Sequence, residues 1–307
     1  MVLAVFAYLA VCWTSVHHVT VTLSVHTVIG PALHQFNRHD LCCAKPGCFY
    51  RPKAMACYRT VLTSMLLLMA GVEPNPGPQL MFGLLNARSI VTKGPLIHDI
   101  IISEMLDIVC VSETWITGSD PDFPECRPIQ DDIVPDGYRI LHTPRNQVST
   151  NRGGGLCVDN RDNINVRSYK LQNYVMPQSF ELQLLLMSPA GEPSVVIANI
   201  YKPPKSSKLQ FLDELSDLLT LCGNFIGKDK FILCGDFNCP SDDSQTEIDS
   251  ALQSVFDIHG LTQHVRTPTR VTPTVSNILD LIVTSSSHPS CISRVNVSDS
   301  KGISDHD

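Results

Sequence analysis

The chain is poor in charged residues, and in its larger part it is poor in basic ones. Asp, Glu, Lys and Arg make up only 17% of the 307 residues, and the formal net charge is −7. Residues 78–307 hold 18 Lys and Arg against 28 Asp and Glu, whereas residues 1–77 hold five against two. A passive nucleic-acid binder is expected to be basic, so this composition argues against a pure binding module. It fits an enzyme whose carboxylates bind cations.

Two further absences concern cysteine spacing and membrane signals. The twelve cysteines include no paired Cys-x-x-Cys spacing, and their one cluster consists of Cys42, Cys43, Cys48 and Cys57 near His34 and His39. Zinc binding there stays open, but unpaired thiols in a reducing compartment are favoured. The apolar first 30 residues contain no Lys or Arg, and Thr, Ser and His interrupt them. They support neither a signal peptide nor a membrane span, and we expect no membrane partner.

The most informative segment that is present spans residues 231–240 and reads FILCGDFNCP. An apolar run of strand type ends in Asp236 and Asn238, and the period of two places both side chains on the same side. Gly235 permits close backbone approach, and Pro240 stops further sheet pairing. A carboxylate and an amide at the rim of a buried strand suit a site that handles a metal, a water or a phosphate. The alternative is a strand that ends in an ordinary turn.

Alternating apolar and amphipathic stretches predict the architecture of the region from residue 79 onward. Helices are predicted over 94–106, 207–222 and 247–258. Strands are predicted over 80–86, 107–113, 138–142, 155–159, 179–187, 194–201, 229–236, 279–284 and 293–297. Several strands follow one another directly, so the sheets must be partly antiparallel. We therefore predict an α/β (α+β) four-layer sandwich, in which helices flank two packed mixed β-sheets.

Polar side chains at or near strand ends predict one site assembled from distant segments. Each has an alternative: Asn86 could cap the following helix, and Glu113 could simply precede a turn. Asp280 is harder to explain, because a carboxylate in an apolar run is costly unless it is hydrogen-bonded or paired. The set comprises Asn86, Glu113, Asn199, Tyr201, Asp236, Asn238, Asp280 and the pair Asp305-His306.

Without Asn199, which could simply brace the site, and with Gly153-Gly154-Gly155 added, this set resembles the endonuclease/exonuclease/phosphatase superfamily across residues 79–307. Five short segments resemble endonuclease domains of LINE-type non-LTR retrotransposons. They are Leu-Asn-Ala-Arg-Ser, Ser-Glu-Thr-Trp, Asn-Ile-Tyr-Lys-Pro-Pro, Thr-Pro-Thr-Arg and Leu-Asp-Leu-Ile-Val-Thr. The resemblance implies a DNA endonuclease that nicks target DNA and leaves a 3′-hydroxyl as the primer for reverse transcription. It also implies double-stranded DNA and a reverse transcriptase encoded downstream as partners, with action in the nucleus.

The same resemblance implies a site for a divalent metal ion. Glu113 would ligate the ion, with Asn86 and Asp305 nearby. Mg²⁺, or Mn²⁺ in its place, suits hard oxygen ligands and keeps several waters, which fits a site with few carboxylates.

The resemblance further implies catalytic roles for five residues. Asp236 would orient or deprotonate the attacking water, and Asn238 would hold water and phosphate in line. His306, oriented by Asp280, would hydrogen-bond the phosphoryl oxygen as an imidazolium. Tyr201 would also reach the phosphate.

Three alternatives to a retrotransposon endonuclease remain open. The superfamily also includes abasic-site nucleases and phosphatases that act on lipids or inositol phosphates. The third alternative is an inactive relic, because members of the family continue beyond Asp-His into a closing apolar strand, whereas this sequence stops at Asp307. We therefore expect a C-terminally truncated domain that lacks its final strand, with an unpaired sheet edge and a fraying terminus.

Residues 66–78 mark a boundary, because a Leu-rich run there breaks into three prolines within five residues. The local interpretation is a helix end followed by a stiff linker. The segment also resembles ribosome-skipping (2A-type) peptides, which end in Val-Glu-x-Asn-Pro-Gly-Pro, although this chain has Gly71 where the family usually has Asp. That resemblance implies that no bond forms between Gly77 and Pro78, so that a second product begins at Pro78. Residues 1–65 carry no further assignment.

Overall fold

The computed structural model describes residues 3–10, 79–116, 133–145, 153–188, 194–241, 247–274, 276–287 and 292–299. All of them lie in one compact unit formed by Met1–Val11 and Pro78–Asp307. A second unit, Cys12–Gly77, lies outside the described residues. Four predicted positions also lie outside them, namely Gly77, Pro78, Asp305 and His306.

Fourteen strands and four helices make up the described part of the chain. The strands are β1 (Leu3–Ala10), β2 (Gln79–Asn86), β3 (Ile108–Ser112), β4 (Tyr138–Thr143), β5 (Leu156–Arg161), β6 (Asn165–Ser168), β7 (Glu181–Ser188), β8 (Val195–Tyr201), β9 (Phe231–Asp236), β10 (Leu261–Gln263), β11 (Arg270–Val271), β12 (Ser276–Asn277), β13 (Asp280–Ser285) and β14 (Ile292–Asp299). The helices are α1 (Gly94–Ser103), α2 (Lys208–Leu221), α3 (Gly223–Ile226) and α4 (Ser250–Ile258). Within these ranges no helix is long and apolar enough to cross a membrane.

The strands form two six-stranded sheets and a short ribbon of β11 and β12. The first sheet has the order β14-β1-β2-β3-β5-β4, and the second has the order β10-β13-β9-β8-β7-β6. Each sheet contains one parallel pair, β2 with β3 and β8 with β9, among antiparallel neighbours. Both sheets are therefore mixed, as predicted.

Apolar side chains of the two sheets pack against each other in one core. Its members include Phe82 and Leu84 of β2 together with Ile197 of β8 and Leu233 of β9. A second cluster packs the buried face of α1 on β3 of the first sheet. Helix α2 packs on the other side of the second sheet through Phe211, whose ring contacts two further phenylalanine rings edge-on. The layers are thus helix, sheet, sheet and helix, which confirms the predicted sandwich.

All nine predicted strands and all three predicted helices are present, with ends within three residues of the prediction. Helix α1 ends at Ser103 rather than at 106, because the backbone at Met105 turns into the left-handed region with φ 51°. Strand β6 was not predicted, because Val166 is its only buried residue and so leaves little periodicity. Helices α2 and α4 begin at side-chain caps, Ser207 and Asp249, as such residues favour.

Strand β1 comes from the N-terminal segment to which the sequence analysis gave no structure. It lies between β2 and β14 and is antiparallel to both, with Phe6 opposite Gly83 and Asn296. In the described residues β2 therefore has a neighbour on each side, and the missing final strand stays a prediction. The sheet therefore depends on a strand that 68 residues of chain separate from β2.

Removing residues 1–77 should therefore destabilise the remaining domain. The 78–307 polypeptide would lose the pairing of β1 with both of its neighbours, which exposes two strand edges. Each kcal/mol lost lowers the Tm of a domain of this size by about 2–4 °C. Calorimetry on the 1–307 and 78–307 polypeptides checks this, and equal Tm values would contradict a role for β1.

Asp159 of β5 is a buried carboxyl whose two oxygens have no hydrogen-bond partner within the described residues. Burial raises its pKa from 3.8 to about 8. Because the folded state holds the proton more tightly, this group favours folding at low pH. That contribution is complete below the pKa of the unfolded chain and is lost as pH rises through the folded pKa.

The free energy of unfolding should therefore fall between about pH 4 and pH 8, by up to about 1.4 kcal/mol for each pH unit in that window. Asp159→Asn should remove this component of the slope, because an amide does not titrate. Urea unfolding at several pH values measures it, with the exposed Asp162→Asn as the matched control. An Asp159→Asn curve parallel to that of the wild type would contradict the prediction.

Candidate active site

Four polar side chains stand in one row across the second sheet. The backbone register pairs Asp280 with Asp236, and Asp236 with Tyr201. The same register pairs Tyr201 with Glu181, the first residue of β7. Directly paired residues of neighbouring strands project from the same face of a sheet. Strand register therefore brings these four residues together from positions far apart in the sequence.

The amide of Asn86 joins this row to the first sheet. Its Nδ2 donates to Glu113 Oε1 at 2.9 Å and to Asp236 Oδ2 at 2.8 Å. Its Oδ1 accepts from the backbone N–H of Arg88 at 3.0 Å. The N-cap of α1 is Lys93, which makes no side-chain capping bond, so the alternative role of Asn86 as a helix cap is wrong. Asn86 instead binds the two carboxylates that were predicted to serve the metal and the water.

Glu113 lies just beyond β3 in a backbone turn of unusual conformation. Its φ is 56°, and that of Trp115 is 59°, both in the left-handed region that side chains disfavour. Its Oε2 accepts from the indole Nε1 of Trp115 at 3.1 Å. Burial, together with the nearby carboxylates of Glu113 and Asp236, raises the pKa of Tyr201.

The triglycine loop, Gly153-Gly154-Gly155, holds this turn in place. The carbonyl oxygen of Gly154 accepts from Trp115 N at 2.8 Å, and that of Gly155 accepts from Thr114 N at 3.1 Å. All three glycines have positive φ. A Cβ at Gly154 would overlap Glu181 Oε1, and one at Gly155 would overlap Thr114 Oγ1. Only glycine fits this close approach.

Asp236 and Asn238 are in contact, but through a turn and not through the period of two of an extended strand, because β9 ends at Asp236. Asp236 Oδ1 accepts from the backbone N–H of Asn238, and Oδ2 accepts from its Nδ2, both at 2.9 Å. The same Nδ2 donates to the carbonyl oxygen of Lys202 at 2.9 Å. Asn238 has φ 41°, so the strand does end in a tight turn, and that turn carries the site residues. The segment therefore contains both features that were predicted as alternatives, a turn and a cluster of candidate site residues.

Asp280 is held by a threonine that the sequence analysis quoted without a role. Thr269 Oγ1 accepts from the backbone N–H groups of Leu279 and Asp280, each at 3.0 Å. Asp280 Oδ1 is buried and has no partner within the described residues. This oxygen is therefore available for a further donor.

Burial raises the pKa of both central aspartates. It raises that of Asp280 to about 7, against the lowering effect of Thr269. It raises that of Asp236 well above the usual range, and the carboxylates of Asp280 and Glu113 add to the shift, while Asn86 and Asn238 oppose it. Burial and the neighbouring carboxylates thus disfavour the charged forms of both groups, and a cation beside them would oppose that effect.

The residues present fit a divalent cation that keeps most of its waters. Glu113 supplies a carboxylate oxygen, and Asn86 supplies a carbonyl oxygen that also accepts from the backbone N–H of Arg88. Two acidic side chains, Glu113 and Asp236, lie within one hydrogen-bonded group, with no Lys or Arg bonded to either in the described contacts. Among the described residues no group of three or more His, Cys, Asp or Glu is spaced to enclose a metal ion. Magnesium is commonly bound through one or two carboxylates and waters, which this arrangement matches.

The structure brings together all of the predicted residues that it describes, except Asn199. These are Asn86, Glu113, Tyr201, Asp236, Asn238 and Asp280. Asn199 lies two residues below Tyr201 on the same strand, where its Nδ2 donates to Gln183 and to the backbone of Cys157, so it braces the two sheets. Asp305 and His306 lie outside the described residues, and their roles stay predictions.

Sequence reasoning missed Glu181 and the role of Thr269. The predicted site residues end strands, whereas Glu181 begins one: β7 runs antiparallel to β8, so the beginning of β7 meets the end of β8 at one sheet edge. A polar residue that begins an apolar run, as Glu181 does after Phe180, is the signal that would have found it.

Comparison with known proteins bears on the class of the chain. The model of the endonuclease-reverse transcriptase family matches residues 195–307, which include Tyr201, Asp236, Asn238 and Asp280. No curated protein matches the chain in sequence. The family match supports the predicted class, a phosphoester hydrolase of endonuclease type.

Solved structures show similar overall arrangements at low identity. The 3′ phosphatase NExo from Neisseria is 16% identical, with a TM-score of 0.46 over 67% of this chain and 86% of that one. The endonuclease domain of TRAS1, a telomere-specific non-LTR retrotransposon, is 12% identical, with a TM-score of 0.46 over 66% and 83%. The AP endonuclease LMAP from Leishmania major is 15% identical, with a TM-score of 0.49 over 69% and 81%. These values are too low to assign a substrate.

Thr269 offers a test of the site architecture that does not depend on activity. Thr269→Val should destabilise the fold, because two buried backbone N–H groups would lose their acceptor, at about 1–3 kcal/mol for each unsatisfied group. Thr269→Ser keeps the acceptor oxygen and should retain most of the stability. Urea unfolding of the three proteins measures the difference, and equal losses in both variants would show that the hydroxyl is not the stabilising group.

Proposed function

We propose that this chain is a divalent-metal-dependent DNA endonuclease of the LINE-type retrotransposon kind, which nicks target DNA to leave a 3′-hydroxyl primer. The observation that carries the proposal is the Asn86 amide, which donates to Glu113 and to Asp236 at once. A metal-ligand candidate and a water-positioning carboxylate therefore belong to one hydrogen-bonded unit. The family match over residues 195–307 supports the same activity.

The cation would be held at Glu113 and Asn86, and when bound it would stabilise negative charge on the phosphate and on the leaving oxygen. Asp236 would accept a proton from the attacking water, because Asn86 and Asn238 hold its carboxylate in place beside the candidate cation ligand Glu113. Asn238 would orient the water, since its side chain is already fixed against Asp236 Oδ2 at 2.9 Å. The Tyr201 hydroxyl, in the same row as Asp236, would donate toward the phosphate.

Two residues outside the described ranges complete the proposal. The unpartnered Asp280 Oδ1 suits an imidazole N–H, and His306 is the proposed donor. Held in this way, His306 would remain protonated at the working pH and would donate to a phosphoryl oxygen. Asp305 would assist at the cation.

The remaining assignments are proposals that rest on the sequence resemblance. Double-stranded DNA is the substrate, and a reverse transcriptase encoded downstream in the intact element uses the nick in the nucleus. Ribosome skipping at Gly77 and Pro78 would release a product that lacks strand β1. The lower stability expected for the 78–307 polypeptide would then apply to the protein that translation releases from Pro78 onward.

Conversion of supercoiled plasmid to the open circle in Mg²⁺ tests the proposal. Asp236→Asn and His306→Ala should each lower the nicking rate by about 10²–10⁴-fold, because each removes a proton-transfer or charge-stabilising group. The exposed Asp162→Asn is the matched control and should nick at the wild-type rate. Omission of Mg²⁺ should abolish nicking.

Other substrates decide between the members of the superfamily. Wild-type nicking of intact duplex supports the proposal. Cleavage confined to abasic duplex, hydrolysis confined to phospholipid, or unchanged nicking by Asp236→Asn would each contradict it.

A further inference from the structure

We propose that Glu181 is a positioning residue that fixes the Glu113 turn for cation binding through the triglycine loop. This inference rests on the proposed function, because it assigns Glu113 to the cation. Glu181 is the fourth member of the row across the second sheet and faces Tyr201 directly. No role in the proposed reaction has yet been given to it.

Glu181 holds the triglycine loop at both of its ends. Its Oε2 accepts from the backbone N–H of Gly155 at 2.6 Å. Its Oε1 lies 3.0 Å from Nε of Arg145, and Nη1 of Arg145 donates to the carbonyl oxygen of Gly153 at 3.0 Å. The side chains of Glu181 and Arg145 are only 18% and 19% exposed, so water screens this ion pair little. The carboxylate therefore binds one end of the loop directly and the other end through Arg145.

The loop passes this constraint to the turn that carries Glu113. The peptide N–H of Gly155 is bound to Glu181, while the carbonyl oxygen of the same residue accepts from Thr114 N at 3.1 Å. Gly154 makes the equivalent bond to Trp115 N at 2.8 Å. A single residue, Gly155, therefore connects Glu181 with the turn that carries Glu113.

The Glu113 turn needs such support because its own backbone is strained. Left-handed φ values at Glu113 and Trp115 persist only where surrounding contacts hold them. Without the loop the turn would relax toward ordinary φ values, and the Glu113 carboxylate would move from its place beside Asn86. A ligand that is free to move loses entropy on binding, so the affinity for the cation would fall.

The ionised form of Glu181 matters, because a neutral amide would serve Gly155 but not Arg145. Burial raises the pKa of Glu181, and Gly155 and Arg145 are the contacts that lower it. If Gly155 N–H were the only group to be bound, a neutral amide oxygen would be enough. A carboxylate beside Glu113 is needed only because Arg145 is bound as well. The pair of Glu181 and Arg145 therefore combines anchoring of the loop with local charge compensation.

Terbium luminescence measures cation binding without any nuclease assay. Tb³⁺ replaces hard divalent cations, and an indole close to it sensitises its emission. Trp115 Nε1 lies 3.1 Å from Glu113 Oε2, and the chain has only one other tryptophan, Trp13. The experiment therefore uses the full chain with Trp13→Phe, and Mg²⁺ competition confirms the site.

Glu181→Gln should weaken Tb³⁺ binding by about 10-fold, the effect typical of removing a group that orients a metal ligand. Arg145→Gln should weaken Tb³⁺ binding by a similar factor. If Glu181→Gln fails to fold, the Arg145→Gln variant tests the proposal instead. Glu214→Gln is the matched control, because Glu214 also accepts backbone N–H bonds, from Gln178 and Ser179, but lies outside the row. The control should bind Tb³⁺ as the parent does.

The outcomes separate this inference from the proposed function. If Glu113→Gln abolishes sensitised emission while Glu181→Gln and Arg145→Gln leave the Kd unchanged, the inference is wrong and the metal assignment stands. A lower Tm with an unchanged Kd also overturns it, because Glu181 is then merely structural. If the parent shows no emission from Trp115, or if Glu113→Gln has no effect, the metal assignment fails and the inference fails with it.

Discussion

The site depends on one amide that bonds two carboxylates from different sheets. Asn86 ends β2, Glu113 follows β3, and Asp236 ends β9 on the opposite sheet. Without the amide, Glu113 and Asp236 would face each other with their charges poorly compensated in a buried place, which is unfavourable. The amide can reach both only because β2 and β9 pack face to face. The packing of the two sheets is therefore a precondition of the chemistry.

Several residues around this amide have buried carboxyl groups or backbone conformations that lower the stability of the fold. Asp236 and Asp280 are buried with raised pKa values, and Glu113, Trp115 and Asn238 have left-handed backbones. Such features persist when the surrounding structure over-determines them, and they cluster at functional sites. Here the triglycine loop, Thr269 and the pair of Arg145 and Glu181 supply that support. A bound cation would relieve the remaining negative charge.

Much of the fold followed from local patterns, and the exceptions have physical reasons. Apolar periodicity located the predicted strands and helices, because burial of one face acts within each element. Strand β1 was missed, since its neighbours β2 and β14 are remote in sequence and its pairing leaves no local signal. The site residues at the ends of strands were predicted, but Glu181, at the beginning of β7, was not. Its place in the site follows from the antiparallel pairing of β7 with β8, and the sequence does not show which strands are paired.

The sequence by itself determined which chemistry is available. It placed Asp236 and Asn238 two residues apart, so that their side chains meet, and it set Asp280 in an apolar run where an unpaired carboxylate is unfavourable. Only the tertiary structure decided which distant groups share one site. Asn86 and Asp236 bond across 150 residues of chain, and Glu181 joins the row through strand register alone. Register is set by the pairing and burial of whole strands, and no single stretch of sequence contains that information.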